Sequence, residues 1–263
     1  SFPTMSPDVT RELSFLNCSL ERVASIIAKD PAMTAKMLQI VNSAAVGLAS
    51  RVASPFEAVQ FLGLRTVRSL VLSAHIFSCF VQAGLKDFSV EQLWVHGMKT
   101  GQIACLIMQF EQADPADVED AYIAAMLHDI GKLILADSLP EQFQQALTLA
   151  AERKIQLHEA EREILGATHA GVAAYLLGLW GLPASVVEAI AFHHAPATSD
   201  MRGLGPLAAV HVADVFEHEI SKVPACGLPP QLDLRYLAAA GVGDRLADWR
   251  AQTEKAVKLH DED

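Results

Sequence analysis

Residues 122–133 read Tyr-Ile-Ala-Ala-Met-Leu-His-Asp-Ile-Gly-Lys-Leu, and the rest of the chain is organised around them. The stretch places the imidazole of His128, the carboxylate of Asp129 and the ammonium of Lys132 at the end of an apolar helix. Charged groups in such a setting need partners, because removing them from water is costly. A neighbouring His and Asp can bind one cation, and further His and Asp side chains can hold a second. We therefore expect a site for a metal, a phosphate or both.

Two neighbours of Asp129 add to this expectation. Lys132 follows Asp129 by one helical turn, so its ammonium is expected to reach the same pocket. Gly131 permits a close backbone approach, either to an anion or to another helix. Both residues indicate a crowded polar site at the end of this helix.

Composition excludes two classes of partner. The chain has 263 residues and a formal net charge of −11, with 31 acidic against 20 basic side chains. This balance opposes attraction to a polyphosphate backbone, so we do not expect nucleic acid as a partner. The sequence contains no run of about 18 apolar residues, so we expect no membrane span or membrane partner. No charged leader with an apolar segment opens the sequence, which favours a cytoplasmic location.

Short apolar stretches at helical spacing, separated by capping residues, predict an all-α protein. In the first part of the chain, Ser19, the pair Asp30-Pro31 and the pair Ser54-Pro55 each precede such a stretch. The periodicity breaks at residues 83–87. We therefore expect an N-terminal helical subdomain over residues 1–85 and a second helical subdomain over residues 86–263.

Helix starts in the second part place several candidate residues. Ser89 caps a helix predicted over residues 93–110, with His96 in its second turn. Asp114-Pro115 opens the helix that runs to His128. Thr168 caps another helix and sets His169 at its N-terminus, where the helix dipole is expected to lower the histidine pKa and favour the neutral, metal-binding form.

The remaining polar residues are predicted to lie either at the surface or beside the site. Residues 157–165 predict a helix whose acidic residues, including Glu161, face outward, with His158 at the surface. On the helix from Pro206, Asp214 lies on the apolar stripe and needs a partner, either a metal or a histidine. His211 is expected to pack below the site, and His218 to be exposed.

The order His96, His128-Asp129, Asp214 resembles the HD superfamily of metal-dependent phosphohydrolases. The residues 30–38, 42–44, 58–65 and 178–183 narrow the match, because they resemble HDOD domains, the HD-related output domains of bacterial signalling proteins. The similarity covers roughly residues 4–216. It implies an all-α, multi-helix HD-like bundle preceded by a smaller N-terminal helical subdomain.

The resemblance also implies a set of site residues and a cofactor. Divalent Fe, Mn, Zn or Mg ions are expected, and in an active enzyme Asp129 and Lys132 would be catalytic, with Lys132 facing a phosphate. The implied metal ligands are His96, His128, Asp129, His169, His193, His194 and Asp214.

Of these residues, His169, His193 and His194 resemble the additional histidines of the HD-GYP branch of the superfamily, whose members bind two or three metals. Two departures from that branch limit the implied chemistry. The three-metal enzymes have a glutamate one turn before the first histidine, where this chain has Gln92, so a third metal is not expected. No Gly-Tyr-Pro motif follows His193-His194, so hydrolysis of cyclic di-GMP is disfavoured.

The resemblance implies two functions. The preferred hypothesis is a bacterial signal-transduction output domain, the C-terminal part of a response regulator. It would bind a protein partner or a nucleotide, respond to an attached receiver or sensor domain, and retain the metal pocket. The alternative is a metal-dependent phosphohydrolase acting on a nucleotide or phosphate ester. The polar residues could also form a hydrogen-bonded remnant of an active site that only holds helices together.

Overall fold

The computed structural model describes residues 88–221 and 226–261, with positions 38, 52, 54, 56–60, 63 and 67 from the first part of the chain. The helices predicted after Ser19 and Asp30 and the boundary near residues 83–87 lie outside the described residues. Two compact units divide the chain, one of residues 1–82 and 259–263, the other of residues 83–258. The predicted subdomains 1–85 and 86–263 stay a prediction.

The two long described ranges, 88–221 and 226–261, contain ten α-helices and no strand, which confirms the predicted all-α class. Residues 88–221 and 226–258 of these ranges belong to the second unit. The helices are α1 (Val90–Phe110), α2 (Pro115–Leu127), α3 (Gly131–Ser138), α4 (Pro140–Arg153), α5 (Leu157–Leu165), α6 (His169–Leu179), α7 (Ala184–Phe192), α8 (Pro206–Ser221), α9 (Leu234–Ala239) and α10 (Leu246–Asp261).

The predicted capping residues begin their helices as expected. Ser89 Oγ accepts a hydrogen bond from the backbone N–H of Gln92 at 3.2 Å, and α1 begins three residues earlier than predicted. Asp114 Oδ1 caps α2 and Thr168 Oγ1 caps α6 in the same way, at 2.8 and 3.1 Å. Each bond satisfies a backbone donor that the first helical turn leaves free.

Helix α2 is the centre of the described bundle. It packs against α1, α7 and α8, and all of its residues from Asp120 to Leu127 are buried. A helix surrounded in this way is apolar on most of its circumference, which explains the weak amphipathic pattern of this stretch. The end of α2, which carries His128 and Asp129, therefore opens into the interior of the unit.

Two glycines allow the helices to approach at the site. A Cβ atom on Gly97 would lie 2.6 Å from the carbonyl oxygen of Met126, so α1 and α2 meet backbone to backbone. A Cβ atom on Gly131 would overlap the carbonyl oxygen of His169, which closes α3 against the start of α6. Of the two roles predicted for Gly131, the structure shows the approach to another helix.

Across residues 88–221 and 226–261, and at the isolated earlier positions, no helix is both long and apolar enough to cross a membrane.

Candidate metal centre

The structure brings all seven predicted ligands into one cluster, in which five are buried and His96 and His194 are partly buried. They come from five places: α1, the turn after α2, the start of α6, the turn after α7, and α8. The side chains group into overlapping sets whose ligand atoms lie within 4.8 Å of one another, and those sets contain His96, His128, Asp129, His169, His193, His194 and Asp214. Their convergence is observed, and their role as metal ligands stays a prediction.

One half of the cluster is built by α1, α8 and the end of α2. The Nε2 atoms of His96 and His128 lie 3.1 Å apart. Asp214 Oδ1 lies 3.3 Å from His96 Nε2 and 3.6 Å from His128 Nε2. Asp129 Oδ2 lies 3.6 Å from His128 Nε2. Two imidazoles and two carboxylates thus converge on one position.

The other half is built by the start of α6 and the turn after α7. His169 Nε2 lies 3.1 Å from Asp129 Oδ1 and 3.0 Å from His194 Nε2. His193 Nε2 lies 4.0 Å from Asp129 Oδ1. Asp129 therefore presents one carboxylate oxygen to each half, as a carboxylate that bridges two cations does.

Hydrogen bonds at Nδ1 fix the orientation of four of these histidines. His128 and His193 donate from Nδ1 to the backbone carbonyls of Ala125 and Ile190, at 2.5 and 2.7 Å. His96 and His169 place Nδ1 against buried carboxylates instead: Glu217 Oε2 at 2.6 Å and Glu161 Oε2 at 2.7 Å. Anchoring Nδ1 directs Nε2 toward the centre of the cluster, which is the arrangement of histidines that bind metals.

Several atoms at the centre lack a hydrogen bond. Among the described residues, the buried atoms without a hydrogen-bond partner include Asp129 Oδ1, His193 Nε2 and Asp214 Oδ1. Leaving such atoms buried and unpaired costs free energy. Divalent cations would satisfy them, so the residues fit the predicted metals. A set dominated by imidazoles suits Fe or Zn better than Mg.

The carboxylates around the cluster attract positive charge strongly. Burial opposes protonation of His96, but the carboxylates of Asp214 and Glu217 outweigh it and raise the His96 pKa to about 10. Burial alone would raise the pKa of Asp214, yet the surrounding histidines, His128 first, hold it well below its usual value. The same field that favours a proton here favours a divalent cation.

The predicted pKa shift of His169 is wrong in direction. Burial opposes its protonation, but Glu161 and Asp129 outweigh burial and raise the His169 pKa to about 9. The prediction considered the dipole of α6 alone. Glu161, predicted to face solvent, is fully buried and also accepts a hydrogen bond from the His169 backbone N–H at 2.8 Å.

Lys132 reaches the site as predicted. Its Nζ donates a hydrogen bond to Asp129 Oδ2 at 2.5 Å, and its side chain lines the cavity above the cluster. Burial would lower the Lys132 pKa, but Asp129 and Asp214 raise it, so the ammonium keeps its charge. Its predicted contact with a phosphate stays a prediction.

Helix α8 supplies two residues that sequence reasoning missed. Glu217 is buried beside His96, and His218, predicted to be exposed, is half-buried in the cavity wall. His218 donates from Nδ1 to the Asp214 backbone carbonyl at 2.9 Å and lies 3.2 Å from Asp214 Oδ1. Asp214, Glu217 and His218 lie within one turn of α8, on the face that carries Asp214, and this spacing in the sequence could have indicated that Glu217 and His218 lie beside the site.

Two further histidines lie around the cluster. His211 packs below it as predicted, donating from Nδ1 to the His193 carbonyl at 2.7 Å and accepting from the Asp233 N–H at 2.8 Å. His158, predicted at the surface, is half-buried and stacks on His194. The charged neighbours of His158 on α5 gave no sign that this face packs inward.

A cavity of about 490 Å³ opens onto the cluster, within the usual range for small-molecule sites. Gln92 lines it, at the position where the three-metal branch has a glutamate. The remaining wall combines polar residues such as Lys99 and Ser89 with apolar residues such as Phe88 and Leu157.

An uncharacterised protein of Treponema pallidum (strain Nichols) is 29% identical to this chain over 192 residues. The alignment covers 73% of this chain and 37% of that protein, so the chain spans somewhat more than a third of the relative's length.

Solved structures share the fold. An HDOD domain protein of unknown function from Geobacter sulfurreducens superposes with a TM-score of 0.66 at 22% identity, covering 96% of this chain and 92% of that one. A candidate phosphohydrolase from Shewanella amazonensis SB2B superposes with a TM-score of 0.65 at 20% identity. The match covers 97% of this chain and 94% of that one. A candidate signal transduction protein from Marinobacter aquaeolei VT8 superposes with a TM-score of 0.61 at 21% identity. The match covers 96% of this chain and 58% of that one.

The family model of the HDOD domain matches residues 1–196, about three quarters of the chain. This span includes six of the seven clustered residues, all but Asp214, and the four segments that resemble HDOD domains in the sequence. The chain belongs to the HDOD domain family.

Proposed function

We propose that this chain is a signal-transduction output module whose HD-type centre binds two divalent cations and, through them, a phosphate ester or nucleotide. The observation that carries the proposal is the inward direction of Nε2 in four histidines, each anchored at Nδ1. A cluster that only holds helices together does not require Nε2 atoms to face one another at 3.1 and 3.0 Å.

The two cation positions share Asp129. The first would be held by His96, His128, Asp129 and Asp214. The second would be held by Asp129, His169, His193 and His194. When bound, such cations offset charge on a phosphoryl group and lower the pKa of water.

An anionic ligand should bind only after the cations. Without them, the carboxylates of Asp129, Asp214 and Glu217 at the floor of the cavity repel a phosphate. Lys132 then provides a donor at the same floor, because its Nζ lies beside Asp129 and faces the cavity. We therefore expect ligand binding to require the metal.

The shape of the cavity favours an organic phosphate over inorganic phosphate. Its volume of about 490 Å³ exceeds what a phosphate needs, and one wall is apolar, formed by Phe88, Leu157 and Leu228. The backbone N–H of Leu228 donates to the Ile155 carbonyl at 3.0 Å, which fixes this residue over the cavity. The wall gives the organic part of the ligand an apolar contact surface.

A titration of the metal-free protein tests the proposal. Zn²⁺ or Mn²⁺ added during calorimetry should show two equivalents bound, confirmed by elemental analysis. Asp129→Ala should remove both positions, while Asp248→Ala, an exposed carboxylate, should remove neither. Nucleoside monophosphates should then bind the metal-loaded protein only. Absence of bound cations in the native protein would contradict the proposal.

Hydrolysis is a second candidate, favoured by the position of Lys132 beside Asp129 at an open cavity. Phosphate release from a nucleotide panel would be measured with the metal-loaded protein. The activity should disappear in Asp129→Ala and fall in Lys132→Ala, and cyclic di-GMP should not be cleaved. Release that persists in Asp129→Ala would belong to a contaminant.

The signalling role extends the proposal beyond the site. It is supported by membership of the HDOD family and by the related fold of a candidate signal transduction protein. We place the module in the cytoplasm, with residues 1–85 as the surface for a protein partner or an attached receiver or sensor domain. To test that assignment, the affinity of a purified receiver domain would be measured for this chain with and without residues 1–85. Removal of these residues should abolish binding.

A further inference from the structure

Helix α5 contacts two of the residues proposed to hold the second cation, His169 and His194. Glu161 anchors Nδ1 of His169, and His158, one turn earlier, stacks its ring on His194. The ring centroids of His158 and His194 are 4.4 Å apart and the planes differ by 12°. A nearly parallel pair at this distance is a stacked contact, which restricts rotation of the His194 ring.

His194 differs from the other clustered histidines in how it is held. The other four place Nδ1 against an acceptor at 2.5 to 2.7 Å. For His194, the hydrogen bonds of the described residues include only the contact of Nε2 with His169 Nε2, at 3.0 Å. Its ring otherwise meets His158 on one side and His193 at 3.9 Å with a 45° tilt.

We infer that His158 is a positioning residue for the second cation: its ring fixes the plane of His194, in place of the hydrogen bond that fixes the other ligand histidines. The inference rests on the proposed metal centre. His158 does not touch the cation and is not a ligand in this assignment.

The chemistry of His158 suits this role. Its Nδ1 is buried without a hydrogen bond in the described structure, so the ring is not held there by a polar partner. An imidazole ring in this position can stack on the face of a metal-bound imidazole without itself binding the cation.

Three variants test the inference. His158→Ala removes the ring, His158→Phe keeps a flat ring, and Arg162→Ala changes an exposed side chain on the same helix. Calorimetric titration with Zn²⁺ gives the affinity of each position, and the absorption spectrum of bound Co²⁺ reports the coordination geometry at the second position. In His158→Ala the second cation should bind roughly 10- to 100-fold more weakly, with the first unchanged. His158→Phe and Arg162→Ala should behave as the native protein.

The outcomes separate this inference from the proposed function. A native protein that binds no cation refutes the metal centre. A native protein that binds two, with equal affinities in His158→Ala, overturns the role of His158 alone. If His158→Phe loses the second cation as fully as His158→Ala, stacking is not the cause. Should His158→Ala fail to fold, the comparison of His158→Phe with His158→Gln decides, because only the former keeps the ring.

Discussion

At the level of single residues, protons would compete with the proposed cations for the same histidine nitrogen atoms. The carboxylates around His96 and His169 raise their pKa values to about 10 and about 9, above the ordinary value of 6.5. At pH 7 both rings therefore hold a proton that a cation must displace, and raising the pH removes this competition. Cation affinity should increase from pH 6 to pH 9.

Calorimetry in buffers of different ionisation enthalpy measures this competition directly. Near pH 7, binding should release about two protons, one from each of the two rings. In Glu217→Gln the release should be smaller, because one carboxylate that raises the His96 pKa is gone. Affinity that does not change with pH would contradict the assignment of these rings as ligands.

The buried glutamates give a second prediction at this scale. Glu217 anchors His96 and Glu161 anchors His169, so each supports a different cation position. Glu217→Gln should lower the affinity of the first position for its cation, and Glu161→Gln that of the second position, each roughly 10- to 100-fold. The control is Glu163→Gln, which lies two residues from Glu161 but forms an exposed ion pair with Arg153. Equal losses at both positions in one variant would show general disruption instead.

Between elements, Gly131 determines how closely α3 meets α6. In Gly131→Ala the new methyl group overlaps the His169 carbonyl, so the two helix starts must separate. We expect a loss of about 1–3 kcal/mol in the free energy of unfolding, as for other overpacked sites. The second cation should also bind more weakly, because His169 moves away from Asp129.

Urea unfolding and metal titration check this prediction against a matched control. Gly178 lies within α6, and a Cβ atom there would meet Val187 at an ordinary 3.8 Å. Gly178→Ala should therefore keep or slightly raise stability, because alanine favours the helix. A Gly131→Ala protein as stable as the native chain would mean that the helices can separate without cost.

Helix boundaries could be predicted from the sequence, and helix faces only in part. Ser89, Asp114 and Thr168 begin their helices because a capping bond forms within four residues and needs no tertiary context. The inward face of α5 could not be predicted. The charged residues of α5 are typical of a solvent-exposed face, whereas Glu161 is buried against the start of α6.

At the scale of the whole molecule, the candidate ligands could be predicted from the family resemblance, whereas their arrangement is known only from the structure. The HD pattern named His96, Asp129 and Asp214, which are up to 118 positions apart in sequence. It could not give the proposed sharing of Asp129 between two positions, because that depends on where α6 begins and where α7 ends. The positions of residues around the candidate ligands, such as His158 and Glu217, could not be predicted from the sequence, because their partners lie on other segments of the chain.

Cations at this centre would link segments that are distant in the chain. Because the ligands come from α1, α6 and α8 and from the turns after α2 and α7, binding should stabilise the unit of residues 83–258 as a whole. A ligand at a hundred times its dissociation constant adds about 2.7 kcal/mol to the folded state. Treatment with a chelator should therefore lower the thermal midpoint of the native protein, and added Zn²⁺ or Mn²⁺ should restore it. In Asp129→Ala neither treatment should shift the midpoint. A chelator effect of equal size in that variant would place the stabilising cation elsewhere in the chain.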